Sequence, residues 1–455
     1  MKTLRYYSTN LQAEPVSFRE ALLKGLAPDR GLFLPNEVPR IAPDELITYS
    51  RMEYDEIAYA VLQKFLHSEI PDDDLRAIVK EAYNFPVPLE QVYEKKYVMR
   101  LDHGPTASFK DFAARVMGRL MQYFLKQEQR SLLILTATSG DTGSAIANAF
   151  YGLDNIQVLV LFPEQEVTDR QRKQMTTLQQ NIHIIALDGK FDDCQALVKR
   201  AFSDPALDTL NLSSANSINI GRLLPQTIYY VYAFAKLRQG KAHDQIIFSV
   251  PSGNFGDLMG GLLAKKMGLP VKKFVVATNE NDEFPKFVAL GDYQTIRPSR
   301  DCLSSAMNVG HPSNVARLIA LYGGQMDETG TIRKEPDLAQ IREELYAVSI
   351  SDDETKAMIK AAYDTHRLLL EPHGAVSWAG LMRYLDEQKT DETPEQVCVS
   401  LETAHPAKFP REIREILGID PDLPLSLEGL DAKEEMFTTM GNDYEEFKRY
   451  LQENY

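Results

Sequence analysis

Short runs of β-branched and other apolar residues alternate with helical patterns through the middle of the chain. The runs are LLILTAT (132–138), QVLVLF (157–162), IHIIAL (182–187), IIFSVP (246–251), KFVVAT (273–278) and, near the end, VCVSLE (397–402). The first four are followed by helical patterns at 142–151, 167–180, 192–203 and 257–267. Strands that are apolar on both faces and separated by helices indicate a parallel sheet with crossover helices.

The chain has a different pattern on either side of this alternating region. Residues 53–67 carry one apolar stripe at helical spacing, and residues 72–83 begin with acidic residues, which a helix N-terminus favours. After about residue 411 the chain is acidic and has a helical pattern. We therefore predict a helical N-terminal domain, a central α/β region and an acidic helical extension that packs on the core, over residues 1–95, 96–410 and 411–455.

Composition and charge narrow the class of protein. The chain has 455 residues, with 50 Lys and Arg against 65 Asp and Glu, which gives a formal net charge of -15. So acidic a chain lacks the basic surface that grips nucleic-acid backbones, and we expect no nucleic-acid partner. No apolar run approaches the ~18 residues of a membrane span. The opening MKTLRYYSTNLQAEP has no apolar core of a signal peptide, so we expect neither membrane insertion nor secretion.

The cysteines indicate a reducing compartment. Cys194, Cys302 and Cys398 are an odd and widely spaced set, which is not a disulfide framework. None belongs to a CxxC pair, and the histidines show no HExxH spacing. We expect a cytoplasmic protein without a metal site.

Two glycine-containing loops follow predicted strands and lead into predicted helices. PSGNFGD (251–257) follows IIFSV, and TSGDTGS (138–144) follows LLILTAT. Glycines allow the backbone to approach a ligand closely, and the free N–H groups at a helix start bind phosphate or carboxylate. A plain strand-to-helix turn and an ordinary helix cap are the respective alternatives. Two such loops on neighbouring strands favour a single site for an anionic small molecule.

A lysine stands where another helix is predicted to begin. HGPTASFKDF (103–112) places a Gly-Pro turn before a helical pattern that starts at Phe109, so Lys110 falls in the first turn. The helix dipole and burial both lower the pKa of an amine there, which leaves it available for Schiff-base chemistry. A solvated surface lysine is the alternative. His103 is a candidate base, and a buried structural histidine is the alternative to that role.

Two further segments combine residues that hold anions or rings. NSINIGR (216–222) brings amides, a hydroxyl and Arg222 together, which suits an anion clamp. A capped helix with an exposed arginine is the alternative. ETAHPAKF (402–409) follows the last predicted strand, and its Thr403 could bond a ring nitrogen, with ordinary turn chemistry as the alternative.

Taken together, these segments resemble the threonine synthases, pyridoxal-phosphate enzymes of the tryptophan-synthase-β fold. The shared motifs run in family order from residue 6 to residue 410: YST (7–9), GLAPDRGLF (25–33), HGPTASFKD, TSGDTGS, NSINIGRLLPQ, PSGNFGD, ATNENDEF, EPHGAV and ETAHPAKFP. The combination is similar to the bacterial and fungal branch, which carries the N-terminal domain. The resemblance implies an α/β protein of PLP fold type II, with two open parallel-sheet subdomains, the smaller and mobile one near 104–160.

The resemblance also implies residue roles. Lys110 would hold pyridoxal phosphate covalently and shuttle protons. The loop around the cofactor phosphate would consist of Gly253, Asn254, Phe255, Gly256 and Asp257, and Thr403 would face the pyridine nitrogen. Substrate would contact Ser139, Asp141, Thr142, Ser217, Arg222 and Lys408. Many members of the wider superfamily have Asn where this chain has Asp141.

The implied activity is the conversion of O-phospho-L-homoserine and water to L-threonine and phosphate, the last step of threonine biosynthesis. A phospholyase that releases 2-oxobutyrate and ammonia would use the same lysine and anion clamps, although NSINIGR and TAHPAKF favour the synthase. A metabolite-binding protein without catalysis is a second alternative, against which the intact Lys110 argues. A nucleotide-binding kinase is a weak third, because no Walker A motif is present. We expect a monomer.

Overall fold

The computed structural model describes residues 4–138, 140–238, 245–388 and 395–455. Its helices are α1 (Phe18–Lys24), α2 (Pro43–Tyr49), α3 (Tyr54–Leu66), α4 (Asp72–Ala82), α5 (Lys110–Glu128), α6 (Asp141–Phe150), α7 (Asp169–Thr176), α8 (Phe191–Phe202), α9 (Ile220–Leu223), α10 (Thr227–Arg238), α11 (Gly256–Lys266), α12 (Glu283–Leu290), α13 (Val315–Leu321), α14 (Leu338–Glu344), α15 (Asp352–His366), α16 (Pro372–Glu387), α17 (Pro410–Leu417) and α18 (Tyr444–Asn454).

The strands are β1 (Tyr6–Ser8), β2 (Phe33–Pro35), β3 (Leu89–Tyr93), β4 (Lys96–Arg100), β5 (Leu132–Ala137), β6 (Ile156–Pro163), β7 (Ile182–Asp188), β8 (Leu212–Ser213), β9 (Ile246–Pro251), β10 (Val271–Thr278), β11 (Gln325–Met326), β12 (Ile332–Lys334), β13 (Leu345–Ser349), β14 (Cys398–Glu402) and β15 (Thr438–Gly441). Each apolar run identified in the sequence forms a strand, because such runs are buried on both faces of a sheet.

The larger sheet has the order β13-β10-β9-β14-β4-β3. Its strands are parallel except for the hairpin of β3 with β4 at one edge. The strand β14, which comes late in the chain, lies between β9 and β4 and pairs with both. The centre of this sheet is therefore complete only when residues 398–402 are in place.

The smaller sheet has the order β15-β7-β6-β5-β8 and is parallel throughout. It extends beyond the region near 104–160, since β7 and β8 lie at 182–188 and 212–213 and one edge comes from 438–441. The extension predicted to be helical thus supplies a strand. Only Met440 of β15 is buried, as expected for a strand at the edge of a sheet.

The N-terminal residues form helices, as predicted, together with the antiparallel pair of β1 and β2. They share one hydrophobic core with α5 and with both sheets. At this contact the rings of Tyr54 and Phe112 lie 5.5 Å apart, and the Tyr83 hydroxyl donates to Phe112 O at 3.0 Å. The helix that begins at Lys110 is therefore packed directly against the N-terminal region.

The carboxyl ends of β5, β9 and β14 lead into three of the five segments that carry the candidate chemistry. β9 and β14 belong to the larger sheet and β5 to the smaller one, so the expectation that the two glycine loops follow neighbouring strands is wrong. Loops at the carboxyl ends of parallel strands are where open α/β sheets bind ligands. Among the described residues, no helix combines the length and the apolar character needed to cross a membrane.

Candidate functional site

Lys110 is the first residue of α5, and the loop that follows β14 holds it in place. Phe109 N donates to Thr403 O at 2.9 Å, and Ser108 forms an isolated antiparallel bridge with Ala404. Lys110 keeps 13% of its side-chain surface exposed. The motif that carries the lysine and the motif that carries Thr403 are therefore in contact.

Burial lowers the pKa of Lys110, and nearby charges modify that effect. The Asp141 carboxylate, whose Oδ2 lies 3.7 Å from Lys110 Nζ, opposes the shift. Lys408 and Arg222 reinforce it by repelling the protonated amine. A buried amine among other cations holds its proton weakly, which is the property that a nucleophilic lysine needs.

Asp141 lies at the start of α6 and binds two lysines. Its Oδ1 pairs with Lys408 Nζ at 2.5 Å and accepts from Gln171 Nε2 at 2.9 Å. Burial by itself would raise the pKa of Asp141, but Lys408 and Lys110 hold it well below its usual range. Thr142 follows in the same turn and is partly exposed, whereas Ser139 lies outside the described residues.

The loop at 252–256 leads into the N-terminus of α11. Phe255 adopts the left-handed conformation, with φ of 62°. The first backbone bond of the helix runs from Met259 N to Phe255 O, so the N–H groups of the preceding turn are left for a ligand. A Cβ on Gly253 would lie 2.9 Å from Ala306 O, so the loop packs too tightly there for a side chain. Asn254 beside it is partly exposed.

The Asp257 carboxylate faces α10 and not the loop. Its Oδ1 accepts from the hydroxyls of Tyr229 and Tyr230, each at 2.6 Å. Burial raises the pKa of Asp257 to about 6, against the lowering effect of these two bonds. Its side chain therefore anchors the start of α11, and the position contributes to the loop through its backbone.

NSINIGR lies beside this loop. A Cβ on Gly256 would lie 3.5 Å from Ser217 Cβ, which brings the two predicted anion-binding segments into contact. Arg222 is buried, contrary to the exposed alternative, and its Nη1 donates to Ala215 O at 2.8 Å. Its Nε has no hydrogen-bond partner among the described residues. Burial lowers the pKa of Arg222 to about 10, so it remains a cation at neutral pH.

The environment of His103, in the turn before α5, contradicts one of its two predicted roles. His103 is exposed, so the expectation of a buried structural histidine is wrong, and its role as a base stays a prediction. The buried polar residue of the HGPT turn is Thr106, whose N–H and hydroxyl both donate to Asp111. Lys408 Nζ donates to Thr106 O at 2.9 Å, and this bond ties the turn to the TAHPAKF segment.

A histidine in EPHGAV has a structural connection to the site that the sequence reading did not assign. His373 Nδ1 bonds the carboxylate of Glu371, and His373 Nε2 accepts from Ala306 N at 3.1 Å. Ala306 is the residue that packs against Gly253. The presence of EPHGAV among the family motifs was the available signal, but the partner at 306 is more than sixty residues away in sequence.

These surroundings fit pyridoxal phosphate. The cofactor has an aldehyde, which an amine such as that of Lys110 attacks, and a phosphate, which free N–H groups at a helix start bind. Lys110 is the buried amine, α11 supplies the helix start, and the unpartnered Nε of Arg222 is a further donor for an anion. Among the described residues, no group of His, Cys, Asp and Glu is arranged to hold a metal ion.

Comparisons with known proteins agree along the entire chain. The chain matches the families described as "Threonine synthase N terminus" (5–83), "Pyridoxal-phosphate dependent enzyme" (85–402) and "Threonine synthase, C-terminal" (375–451). It is 39% identical over 450 residues to threonine synthase from Haemophilus influenzae, covering 98% of this chain and 99% of that protein. The Escherichia coli K12 threonine synthase is 40% identical over 425 residues, or 93% of this chain and 94% of that protein. A crystal structure of PLP-bound threonine synthase from Brucella melitensis has a TM-score of 0.90 and 37% identity, covering 99% of both chains.

Proposed function

The chain belongs to the threonine synthase family of pyridoxal-phosphate-dependent enzymes, and on that premise we propose that it converts O-phospho-L-homoserine and water to L-threonine and phosphate. The observation that carries this proposal is the environment of Lys110. Lys110 is a buried amine of lowered pKa beside two further cations, an arrangement that suits an anionic substrate and proton transfer to and from carbon.

The bonds that change define what the residues must do. The Cγ–O bond breaks and releases phosphate, the oxygen of water bonds to Cβ, and protons leave Cα and Cβ and return to Cγ and Cα. When bound, pyridoxal phosphate supplies the electron sink that lets protons leave carbon. The chain must hold the cofactor and both anionic groups of the substrate, move the protons, and exclude water until phosphate has left.

Lys110 is the group proposed to carry those protons. Its lowered pKa makes the neutral amine more accessible than that of an ordinary lysine, so one group accepts a proton from carbon and returns it later. Asp141 limits the fall in the pKa of Lys110 and forms an ion pair with Lys408. Ser139 and Thr142 are proposed to contact the substrate carboxylate.

The anion subsites are assigned by the same logic. Residues 253–257 are proposed to hold the cofactor phosphate through the start of α11, and Thr403 to face the ring nitrogen. Ser217 and Arg222 are proposed to bind the substrate phosphate, with Lys408 assisting. The contact between Gly256 and Ser217 and the unpartnered Nε of Arg222 support this division.

Exclusion of water is proposed to come from the smaller subdomain as it closes over the site. Contacts of α7 support this: Gln174 Nε2 donates to Thr106 O at 3.0 Å, and Arg170 bonds Ala407 O.

We further propose a cytoplasmic monomer without a nucleic-acid partner, consistent with the net charge of -15. Sedimentation at a mass of 51.5 kDa would verify the monomer.

Product analysis tests the proposed function. The protein is mixed with O-phospho-L-homoserine, and phosphate, threonine and 2-oxobutyrate are quantified by mass spectrometry. We expect threonine equal to phosphate, both abolished in Lys110→Ala. Lys126→Ala is the matched control, because Lys126 lies on the same helix with its side chain exposed and is expected to keep full activity. Phosphate accompanied by 2-oxobutyrate would contradict the synthase and establish the lyase.

A further inference from the structure

Arg317 in α13 is fully buried, and all of its hydrogen bonds go to neutral acceptors. Nε donates to Phe33 O at 3.0 Å, and Nη2 donates to Ile218 O at 2.6 Å. Nη1 donates to Ser217 O at 3.1 Å and to Asn314 Oδ1 at 2.7 Å. One guanidinium thus joins the N-terminal region, α13 and the NSINIGR segment.

The guanidinium has no carboxylate partner within the part of the chain that the structure describes, and burial lowers its pKa to about 9. It is still a cation at neutral pH. An uncompensated buried charge is costly for folding, and a fold retains it most readily where an anion comes close. The nearby anions in this fold are those proposed to bind at the site.

The position of Arg317 supports that explanation. Asn314, which Arg317 binds, donates from Nδ2 to Ser217 O at 3.3 Å and lies 3.7 Å from the Cβ position of Gly256. The guanidinium is therefore directly behind the place where the proposed cofactor-phosphate loop meets the proposed substrate-phosphate segment.

The peptide bond between Ser217 and Ile218 has a defined orientation relative to Arg317. In a planar trans peptide the C=O and N–H groups point to opposite sides. Because Ser217 O points to Arg317, the N–H of Ile218 points away from it. Arg317 thus fixes the orientation of a donor and adds positive potential behind it.

We propose that Arg317 is a positioning residue for phosphate binding, which fixes the Ser217–Ile218 backbone and supplies unpaired positive charge behind the substrate-phosphate subsite. The role presupposes the assignment of Ser217 to the substrate phosphate proposed above. Inorganic phosphate, the reaction product, carries the same group and serves as the probe.

The test measures binding of inorganic phosphate to the holoenzyme by isothermal titration calorimetry, together with KM and kcat for O-phospho-L-homoserine. Arg317→Met removes both the charge and the bonds, and we expect the phosphate Kd and KM to rise about tenfold, with kcat changed less. Arg317→Lys keeps the charge but loses the planar fork, so we expect an increase of about threefold in both constants. Arg342→Met is the control, because Arg342 is exposed and also donates to two backbone carbonyls, but outside this site.

The outcomes separate the possible failures. An unchanged phosphate Kd in Arg317→Met would overturn the role, even if thermal unfolding showed a less stable protein. Should Arg317→Met not fold, Arg317→Lys decides, since a phosphate Kd equal to that of the wild type would reject positioning. If the wild-type protein makes no threonine but binds phosphate through Arg317, the proposed function fails and the phosphate subsite stands.

Discussion

Burial and charged neighbours determine how readily the Lys110 amine gives up its proton. Burial has the largest effect and destabilises the protonated form, as Lys408 and Arg222 also do, whereas Asp141 stabilises it. The sequence identified all four residues as candidates, because each stands in a recognisable motif. It did not reveal that Asp141 contacts two lysines, since that arrangement depends on how separate loops meet.

Asp141→Asn should shift the pH dependence of catalysis. The substitution removes the charge that raises the pKa of Lys110, so that pKa falls further and the neutral amine persists at lower pH. We expect the acid limb of the kcat–pH profile to move to lower pH. Asp169→Asn, at an exposed aspartate paired with Arg172, serves as control. A shift toward higher pH would refute the electrostatic role of Asp141.

Asp257 makes a second pH effect measurable, this time on stability. Its pKa is about 6 in the folded protein and about 4 when unfolded. The folded state holds this proton more tightly, so the contribution to stability is complete below about pH 4 and is lost as pH rises through about 6. In urea unfolding, the free energy of unfolding of the wild type should fall by about 3 kcal/mol between pH 4 and 7, and Asp257→Asn should not show this fall. The control is Asp353→Asn, at an exposed aspartate, which should show the same dependence of stability on pH as the wild type. If the stability of Asp257→Asn fell with pH as steeply as that of the wild type, the assignment would be contradicted.

The orientation of single side chains could not be predicted from the sequence. The exposure of His103 and the contact of Asp257 with α10 both depend on how a turn or helix start is rotated against its neighbours. A motif specifies residue types and spacing but not that rotation. The contact of the NSINIGR segment with the N-terminal region, where Asn219 Nδ2 donates to Leu22 O, likewise joins residues that are far apart in sequence.

Secondary-structure elements were predictable where burial on both faces gave a continuous apolar run. The central strands of both sheets were found in this way, and the predicted fold class is confirmed by the family and by the solved structures. Strands with polar positions were missed. β4 contains lysine and arginine, β8 has two residues, and β15 exposes three of its four positions.

The contact of α18 with α8 yields a test of the C-terminal extension. Phe447 is fully buried in a cluster with Leu197, Val198 and Met440. Phe447→Ala should destabilise the protein by about 3 kcal/mol or more, through lost burial and a cavity. Urea unfolding measures the loss, and hydrogen exchange should locate increased opening at β7, α8 and β15. Leu425→Ala is the control, because Leu425 is 85% exposed. Opening confined to α18 would show that the smaller sheet does not depend on the extension.

The N-terminal region and the catalytic region share one hydrophobic core, and we therefore expect them to unfold as one cooperative unit. Asn219 Nδ2 donates to Leu22 O at 2.9 Å, and Arg115 Nε donates to Ala82 O. Arg317 bonds Phe33 O. The predicted boundary at residue 95 separates the two regions along the sequence, but in the structure they pack against each other at the site itself.

Removal of the N-terminal region should therefore abolish the native structure. A variant that lacks residues 1–84 exposes the apolar face of α5 and removes the acceptors of buried donors on Arg115, Asn219 and Arg317, each of which costs about 1 to 3 kcal/mol. We expect loss of near-UV circular dichroism and of pyridoxal-phosphate binding. A variant that lacks only residues 1–3 is the control. Retention of native spectra in the longer deletion would show that the catalytic region folds independently.

The late strands have a consequence during synthesis on the ribosome. β7 ends at residue 188, but its neighbour β15 begins at residue 438, and β14 enters the middle of the larger sheet only at residue 398. At about 5 to 20 residues per second, the nascent chain presents an unpaired edge of β7 for on the order of tens of seconds. Unpaired strand edges are sites of intermolecular association. Ribosome-associated chaperones are thus expected to protect this chain until its last residues emerge.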